Sequence, residues 1–510
     1  MTDWTAGYLT DVGYTYGYYT ELSPLRVALP FINAGIAFPK VETACELGFG
    51  QGLSVNFHAA ASGVSWWAND FNPAQAGFAR EMAAAAGTKV TLLDQSFAEF
   101  LGNEDVPEFD FIGLHGIWSW ISDENRAVIV EFIRRKLRVG GVVYVSYNTY
   151  PGWTGMLPMQ HLLSQHNQLM GAPGDGIVNR LNAAVEFASK LMAVDPAYAR
   201  ANPLAVERLN QLKSQSPHYV AHEYFNRNWD PMHFADMARW LEPAKLDYAC
   251  SAHYFDHVDA LNMTPAQQEF LAAVQDPMFK ETVRDLITNQ RFRRDYWVKG
   301  ARRLSKIEQL LEARKIRLVL SKPAADISLT IKATMGEATL SEDVYRPILN
   351  ALSSGKPMTL GEVEQAVKDR LPFARLLEAA IVLVGASIVS LAQEEEVIRA
   401  AKKHTDGINS FVTYKAQGSA DINFMVSPVI GGAITVPRIS QLFILGMRQG
   451  RKTPGELADF VWRLLAAQNQ SLSKDGQVLV GEESNLSELN RQAGEFLEKQ
   501  MSILTALSMV

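Results

Sequence analysis

Five polar side chains follow apolar runs of the sequence and have the chemistry of a binding site. They are Glu46, Asp70, Asp94, His115 and Asn148, and each stands at or near the end of a segment rich in apolar residues. Carboxylates and amides accept hydrogen bonds from hydroxyl and amino groups, and histidine can carry a proton. Because the carboxyl ends of parallel strands share one edge of a sheet, we expect these side chains to surround one ligand.

A glycine-rich turn lies beside the first of these carboxylates. Gly48, Gly50 and Gly52 follow Glu46 at alternate positions, and a helix-like segment comes next. Glycine suits a positive φ or the close approach of a ligand to the backbone. The free N–H groups of a helix start would then face a nucleotide. The dinucleotide-binding pattern fails here, because it requires glycine where the chain has Leu53. A tight turn without a ligand is the alternative interpretation.

The elements that position these residues alternate between strand and helix. Five apolar segments, ending near residues 47, 70, 94, 122 and 153, are separated by helix-like segments. This alternation predicts a doubly wound, Rossmann-like parallel sheet that begins near residue 41. We expect Asp70 to accept hydrogen bonds from ribose hydroxyls, or instead to cap the helix that follows it. Residues 154–215 read as helices, and "KLDYACSAHYF" (245–255) reads as a later strand of the same sheet.

The composition is that of an ordinary globular protein with several domains. The chain has 510 residues and a net charge of -7, which argues against nucleic acid as the main partner. Its two cysteines form no zinc pattern and no disulfide framework, and we expect no metal. No secretory signal or membrane-spanning run is visible, so the expected location is the cytoplasm.

The C-terminal part has a different character, with few candidate catalytic residues. Segments 348–367 and 442–461 are alike, each with an apolar helix, a glycine, a threonine and then Gly-Glu. They predict two mainly α, winged-helix-like modules at 305–400 and 401–510. Such modules bind DNA or other proteins, and we expect assembly or acceptor recognition here. Residues 1–304 are then expected to bind the ligand without them.

Several motifs together resemble a known family. The motifs are "DVGYTYGYYTELSPLR", "ELGFGQG", "LHGIWSW", "VSYNTYPGW", "HEYFN" and "RFRRDYWVKG". They resemble the bacterial class I S-adenosylmethionine (SAM) methyltransferases that carry a methyltransferase regulatory domain, of the rickettsial protein lysine methyltransferase type. The resemblance covers nearly the whole chain and is strongest over 8–155 and 215–300.

The resemblance implies a domain plan and a cofactor site. A SAM-binding domain would span 1–260, with a helical insertion at about 154–215, and a regulatory-domain-like segment would span 215–304. Asp94 would accept the adenine amino group and Phe97 would pack on adenine. The residues expected to bind SAM are Glu46, Gly48, Gly50, Gly52, Asp70, Asp94, Gln95, Phe97 and His115.

The acceptor pocket is expected to be aromatic. The lead-in "YTYGYY" (14–19) and the segment "SYNTYPGW" (146–153) would fold toward each other over the sulfonium. His115 would be a catalytic base or would line the methionine part of SAM, and Tyr18 and Tyr150 would be further catalytic residues. The expected acceptor-binding residues are Tyr14, Trp118, Tyr147, Asn148, Trp153 and His222; for each aromatic residue, ordinary packing is the alternative.

Three functions remain open at this point. The first is methylation of protein lysine side chains. The second is O- or N-methylation of a glycan, a lipid or a small metabolite, and the third is SAM binding by a non-catalytic regulator. The expected partner is accordingly a protein or a small-molecule acceptor, and a homodimer is allowed.

Overall fold

A seven-stranded sheet organises the N-terminal part of the computed structural model, which describes residues 15–172, 174–215 and 217–510. The strand order is β3-β2-β1-β4-β5-β7-β6. The first five strands pair in parallel, and β7 pairs antiparallel with both β5 and β6. Their bounds are β1 Thr43–Leu47, β2 Ser65–Asn69, β3 Thr91–Leu93, β4 Phe109–Leu114, β5 Leu137–Asn148, β6 Leu246–Ser251 and β7 Phe292–Lys299.

The doubly wound sheet predicted from the sequence is confirmed, with one addition at its edge. The segment 245–255 does supply a strand of this sheet, but β7 lies between it and β5. The run of β-favouring residues Tyr296, Trp297 and Val298 in "FRRDYWVK" is the signal for this strand that sequence reasoning missed. Because β7 covers the open side of β5, the chain after β5 runs along residues 290–292 instead of turning over the ligand edge.

Helices flank the parallel strands on both faces. They are α1 Ala28–Asn33, α2 Leu53–Ala61, α3 Pro73–Ala86, α4 Phe97–Gly102 and α5 Asp123–Lys136. Local sequence sets their ends: the Asn72 side chain caps α3 by accepting from the Ala74 N–H, and Gly87 ends it with a left-handed φ of 62°. Ser96 and Glu99 form a capping box at the start of α4. The helix starts after β1, β2 and β3 therefore stand at one edge of the sheet.

A helical insertion separates β5 from β6. It comprises α6 Leu157–Met170, α7 Ile177–Ala193, α8 Ala197–Ala201, α9 Pro203–Leu212, α10 Pro217–Tyr224 and α11 Phe234–Leu241. Helices α6 to α10 share an apolar core that includes Trp153, Leu163, Leu181 and Leu209. Three helices then join β6 to β7: α12 Asp259–Asn262, α13 Pro265–Ala272 and α14 Pro277–Thr288.

The C-terminal part combines helices with small antiparallel sheets. Its helices are α15 Lys306–Lys315, α16 Glu342–Ala351, α17 Leu360–Val367, α18 Phe373–Gly385, α19 Glu395–Lys415, α20 Arg438–Arg448, α21 Pro454–Ala466, α22 Glu482–Glu495 and α23 Met501–Ala506, with a π-helical segment Phe496–Gln500. Its strands are β8 Arg317–Leu320, β9 Thr330–Ala333, β10 Gly336–Thr339, β11 Met358–Thr359, β12 Val389–Leu391, β13 Phe424–Ser427, β14 Gly432–Thr435, β15 Ser473–Lys474 and β16 Gln477–Val478. Strands β11, β8 and β12 form one sheet, and the other strands form three hairpins.

The two similar C-terminal segments share a capping device. Thr359 and Glu362 form a capping box at the start of α17, and Thr453 and Glu456 form the same box at the start of α21. The threonine and the glutamate that both segments share are therefore explained by helix capping.

The C-terminal part packs directly on the helices behind the glycine turn. One continuous apolar core joins Leu53, Phe57 and Met82 of α2 and α3 to residues of α18, α19 and β13. The Gln393 side chain donates a hydrogen bond of 2.6 Å to the carbonyl of Ala61, and His404 Nδ1 lies 3.0 Å from the carbonyl of Ala86. The two parts therefore fold as one body. Within the described ranges, no helix is both long and apolar enough to cross a membrane.

Candidate active site

The glycine turn between β1 and α2 has the backbone that its sequence requires. Gly48, Gly50 and Gly52 have φ angles of 71°, 56° and 74°, all in the left-handed region. A Cβ on Gly48 would lie 2.4 Å from Ile117 Cδ1, and a Cβ on Gly52 would lie 2.5 Å from the Cβ of Ala79. The absence of a side chain at Gly48 thus leaves room for Ile117 beside the turn, whereas its absence at Gly52 allows α3 to pack against the turn.

A cavity of about 130 Å³ opens above this turn at the carboxyl ends of the strands. It brings together seven of the residues expected to bind the cofactor: Glu46, Gly48, Gly50, Asp70, Gln95, Phe97 and His115. Gly17 and Tyr19 also line the cavity, and both belong to the segment 14–19 that the sequence placed over the sulfonium. The remaining wall residues were not identified from the sequence: Phe49, Ser54, Asn69, Phe71, Asn72, Gln75, Ser96, Gly116, Ile117, Trp120, Ile121, Ser122, Asn125 and Asn228. Position at a strand end or just after one was the available signal for Asn69, Asn72 and Gly116.

Asp70 joins the glycine turn to the start of α3. Its carboxylate accepts the N–H of Gly50 at 2.8 Å and the N–H of Asn72 at 2.9 Å. Burial raises the pKa of Asp70 to about 6, although both backbone N–H groups act in the opposite direction. A carboxylate has about four acceptor positions, so hydrogen-bonding capacity remains for a ligand.

Two further acceptors in the cavity wall are unsatisfied. Glu46 Oε2 and Asn69 Oδ1 are buried, and neither has a hydrogen-bond partner within the part of the chain that the structure describes. Burial raises the pKa of Glu46 well above its usual value, and the charge of Asp70 raises it further. Unsatisfied buried acceptors are costly, so this wall fits a ligand that supplies hydrogen-bond donors.

His115 lies directly after β4 and is held between two tyrosines. Its Nδ1 is 2.7 Å from the hydroxyl of Tyr144, and its ring stacks on Tyr19 with centroids 3.6 Å apart. Burial lowers the pKa of His115 to about 4, although the charge of Glu21 opposes this effect. The imidazole is therefore neutral at neutral pH.

Three predicted aromatic site residues lie in the core instead of the cavity. The hydroxyl of Tyr18 accepts the N–H of Ala433 at 3.0 Å, and its ring packs on Phe57, His58 and Phe424. Trp118 is fully buried, with its indole N–H 3.2 Å from Met232 Sδ. Tyr147 donates a hydrogen bond of 2.8 Å to Asp295. Each of these side chains has its polar group paired away from the ligand edge.

Several other predicted residues also lie outside the cavity wall. Asp94 is half exposed and pairs with Arg80 at 2.6 Å. Asn148 is buried where β5 meets β7, and its backbone N–H donates to Ser119. Tyr150 lines a separate groove beside Trp240. Trp153 and His222 are buried in the helical insertion, and Tyr14 lies outside the described residues. The segment 146–153 therefore does not close over the cavity as the sequence predicted.

Comparison with known proteins places this fold and cavity in a class. The family model of a predicted methyltransferase regulatory domain matches residues 216–299, which include α10 to α14 with β6 and β7. The solved structure of PKMT2 from Rickettsia typhi, a complex with AdoHcy, aligns with a TM-score of 0.70 at 18% identity and covers 97% of this chain and 99% of that chain. The fold is thus that of a class I methyltransferase with a long C-terminal extension.

Sequence relatives define the family. A Synechocystis protein described as uncharacterized protein sll1526 is 40% identical, and the match covers 99% of each chain. Rickettsia prowazekii protein RP789 is 26% identical over 56% of this chain and 51% of its own. The chain belongs to the family of sll1526. Its regulatory-domain match and its fold make it a class I SAM-dependent methyltransferase.

Proposed function

We propose that this protein transfers methyl groups from SAM to lysine side chains of a protein. The observation that carries the cofactor assignment is the pair of unsatisfied buried acceptors, Glu46 Oε2 and Asn69 Oδ1, beside a turn that has no side chains at Gly48 and Gly50. The lysine acceptor is supported by the resemblance of the sequence motifs to protein lysine methyltransferases and by the likeness to PKMT2.

Each wall of the cavity fits one part of SAM. The carboxylate of Asp70 would accept hydrogen bonds from the ribose hydroxyls, and Gln95 and Phe97 would contact the adenine. Gly48 and Gly50 would allow the methionine part to approach the backbone, and Glu46 would accept hydrogen bonds from its amino group. The bound cofactor supplies a methyl group on a sulfonium, so the protein has to position the acceptor and handle its proton.

His115 fits a positioning role better than that of a base. A lysine ammonium has an ordinary pKa near 10.4, whereas the pKa of His115 is about 4. Proton transfer from the ammonium to this imidazole would therefore be strongly uphill. The apolar side chains of Ile117, Trp120 and Ile121 in the cavity wall instead favour the neutral amine, because low polarity disfavours the charged form. We infer that the amine gives its proton to water as it enters.

The test is methyl transfer to a bacterial lysate with isotope-labelled SAM, followed by mass spectrometry. We expect label on lysine side chains, and we expect acetylation of the lysate lysines beforehand to abolish it. The Asp70→Asn variant should lose labelling, whereas Asp105→Asn, which changes an exposed carboxylate outside the cavity, should keep it. Label in the low-mass, lipid or glycan fraction would identify the second function considered above. SAM binding without any labelled product would identify a non-catalytic regulator.

A further inference from the structure

The segment 216–299, which the regulatory-domain family model matches, reaches the cavity of the candidate active site through Asn228. This residue lies between α10 and α11, whereas the other lining residues that the structure describes lie between Gly17 and Asn125. Among the described residues, none forms a hydrogen bond with the Asn228 side chain. The amide in the cavity wall therefore keeps its oxygen and its N–H groups available for a ligand.

Contacts of the next two residues fix the position of Asn228. The ring of Trp229 packs on Trp153 in the core of the helical insertion, with centroids 5.1 Å apart. The backbone N–H of Asp230 donates a hydrogen bond of 2.8 Å to the carbonyl of Ser119. The neighbours of Asn228 are thus tied to other elements of the fold, and its amide is held in the cavity wall by the backbone alone.

An ion pair with a buried arginine adds to this anchoring. Arg126 of α5 is 2% exposed, and its Nη1 lies 3.0 Å from Asp230 Oδ2 and 2.6 Å from Asp123 Oδ1. Its Nε donates a hydrogen bond of 3.1 Å to the carbonyl of Trp118. Because a buried charge has to be paired, the start of α5 and the segment around Asp230 are held together.

The anchors of this segment lie on the side of the sheet away from the proposed adenine contacts. Ser119 follows β4, and the backbone N–H of Met232 donates a hydrogen bond of 3.1 Å to the carbonyl of Asn148 at the end of β5. Gln95 and Phe97 follow β3, which β2, β1 and β4 separate from β5. With adenine above β3 and ribose above β2, the sulfonium of SAM lies toward β1 and β4. The segment therefore borders the part of the cavity where the methyl group and the acceptor meet.

We propose that the amide oxygen of Asn228 accepts a hydrogen bond from the acceptor amine and so directs its lone pair at the methyl group. This inference rests on the proposed function for the choice of nitrogen as the acceptor atom. The lone pair of the neutral amine forms the N–C bond as the C–S bond breaks, and both N–H groups remain on the cationic product. An oxygen that binds one N–H group fixes the direction of the lone pair, and it binds more strongly as positive charge develops on nitrogen.

Arg126 and Asp230 are positioning residues for this contact. Both side chains lie outside the cavity wall, but their ion pair holds the backbone that carries Asn228. A change in the regulatory-domain segment that moves Asp230 therefore changes the alignment of the acceptor without touching the cofactor.

Calorimetric titrations of the full-length protein with sinefungin and with AdoHcy test the position of Asn228 without any acceptor. Sinefungin carries an ammonium group in place of the methylated sulfonium, whereas AdoHcy has neither a methyl nor an ammonium group at that point. Asn228→Ala should weaken sinefungin binding about tenfold, the effect of losing one charge-assisted hydrogen bond, and should leave AdoHcy binding unchanged. Asn228→Asp keeps an acceptor oxygen and should keep the affinity for sinefungin. Asn210→Ala, which removes an exposed amide on α9, is the matched control.

The outcomes of these titrations are distinct. Equal weakening of both ligands by Asn228→Ala would place the amide against another part of the cofactor and overturn the proposal. Unchanged affinity for sinefungin would overturn it as well. A loss in Asn228→Asp as large as in Asn228→Ala would show that the amide N–H groups make the contact, which also contradicts the proposal. The titrations involve no methyl transfer, so the proposed function can fail without affecting them.

The label transferred from SAM to all lysate fractions together measures turnover, whatever the acceptor is. At saturating SAM, Asn228→Ala should lower turnover about tenfold or more, because the lost contact is strongest in the transition state. Asp230→Asn should lower turnover and sinefungin affinity by about two- to fivefold but not AdoHcy affinity, the effect of losing an ion pair with one exposed partner. Asp236→Asn, which removes the partner of Arg239 on α11, should change none of these quantities. Equal effects of Asp230→Asn and Asp236→Asn would overturn the positioning role of the ion pair, and unchanged turnover in Asn228→Ala would overturn the contact itself.

Discussion

Replacing Asp70 by asparagine should stabilise the ligand-free protein while weakening its hold on SAM. Burial raises the pKa of Asp70 from 3.8 to about 6, which corresponds to about 3 kcal/mol of lost stability when the carboxyl is ionised. Asparagine avoids this cost because it carries no charge. It provides only one acceptor oxygen for the N–H groups of Gly50 and Asn72, and the lost hydrogen bond costs about 1 kcal/mol. A net gain of about 1 to 2 kcal/mol remains.

The gain depends on pH in a defined direction. The pKa of Asp70 is higher in the folded protein than in the unfolded chain. The protonated carboxyl therefore makes its full contribution to the stability of the protein below about pH 4, and this contribution is lost as the pH rises to about 6. The advantage of Asp70→Asn should therefore be complete above about pH 6 and should shrink as the pH falls toward 4. For a chain of 510 residues, the gain corresponds to about 1 to 2 °C in melting temperature.

Melting curves of the ligand-free proteins at several pH values, together with SAM titrations, measure both effects. SAM affinity should fall about ten- to a hundredfold, the cost of losing hydrogen bonds to a charged acceptor. Asp105→Asn, at an exposed site outside the cavity, should change neither quantity. Lower stability of Asp70→Asn at pH 8 with unchanged SAM affinity would refute this reasoning. Asp70 would then only hold the backbone of the glycine turn.

Four further predictions separate residues that contact the cofactor from residues that only pack. Gly48→Ala and Gly87→Ala should each cost about 1–2 kcal/mol of stability, because both force alanine into a left-handed φ. Only Gly48→Ala also displaces Ile117 in the cavity wall, so only this variant should weaken SAM binding in titrations. Tyr18→Phe leaves the buried N–H of Ala433 unpaired and should cost about 1 kcal/mol of stability in denaturant melts. Turnover per folded molecule should stay unchanged. A large fall in turnover would instead indicate that Tyr18 belongs to the acceptor pocket. His115→Asn should lower turnover, but the pH profile of turnover should keep every inflection between about pH 6 and 9, because the pKa of His115 is about 4. Loss of an inflection in the variant would instead identify His115 as the base. A chain of residues 1–304 should aggregate or fail to bind SAM, because it uncovers Leu53, Phe57 and Met82; a monodisperse fragment with normal SAM affinity would show that the C-terminal part is dispensable for the cofactor site.

The sequence was most informative where local geometry alone fixes the outcome. The glycine turn, the carboxylate after β2 and the histidine after β4 follow from strand and turn patterns within short stretches, and all of them line one cavity. Tyr18 and Tyr147 could not be placed in this way, because their partners Ala433 and Asp295 lie 415 and 148 residues away. A tyrosine beside a strand end has the same local sequence whether its hydroxyl faces a ligand or a distant backbone amide.

The position of β7 is the second feature that local patterns could not supply. Asn148 at the end of β5 pairs with Phe292 of β7, so the end of β5 is covered by a segment far along the chain. The prediction of an acceptor pocket from 146–153 depended on an open end of β5. An antiparallel strand inserted beside it is a long-range pairing, and only the full set of strand contacts determines it.

The contact between α2 and the hairpin of β13 and β14 has a consequence for biosynthesis. His58 Nδ1 lies 3.3 Å from the carbonyl of Gly431, a separation of 373 residues, and Ser427 in turn donates to the carbonyl of Leu507. Translation proceeds from the N-terminus at about 5–20 residues per second, so α2 is made roughly 20 seconds or more before the segment that covers it. During this interval the apolar face of α2 that packs on the C-terminal part has no partner, and we expect the nascent chain to be prone to aggregation. Because α2 directly follows the glycine turn, we expect the turn to reach its final packing only after the C-terminal part has been synthesised.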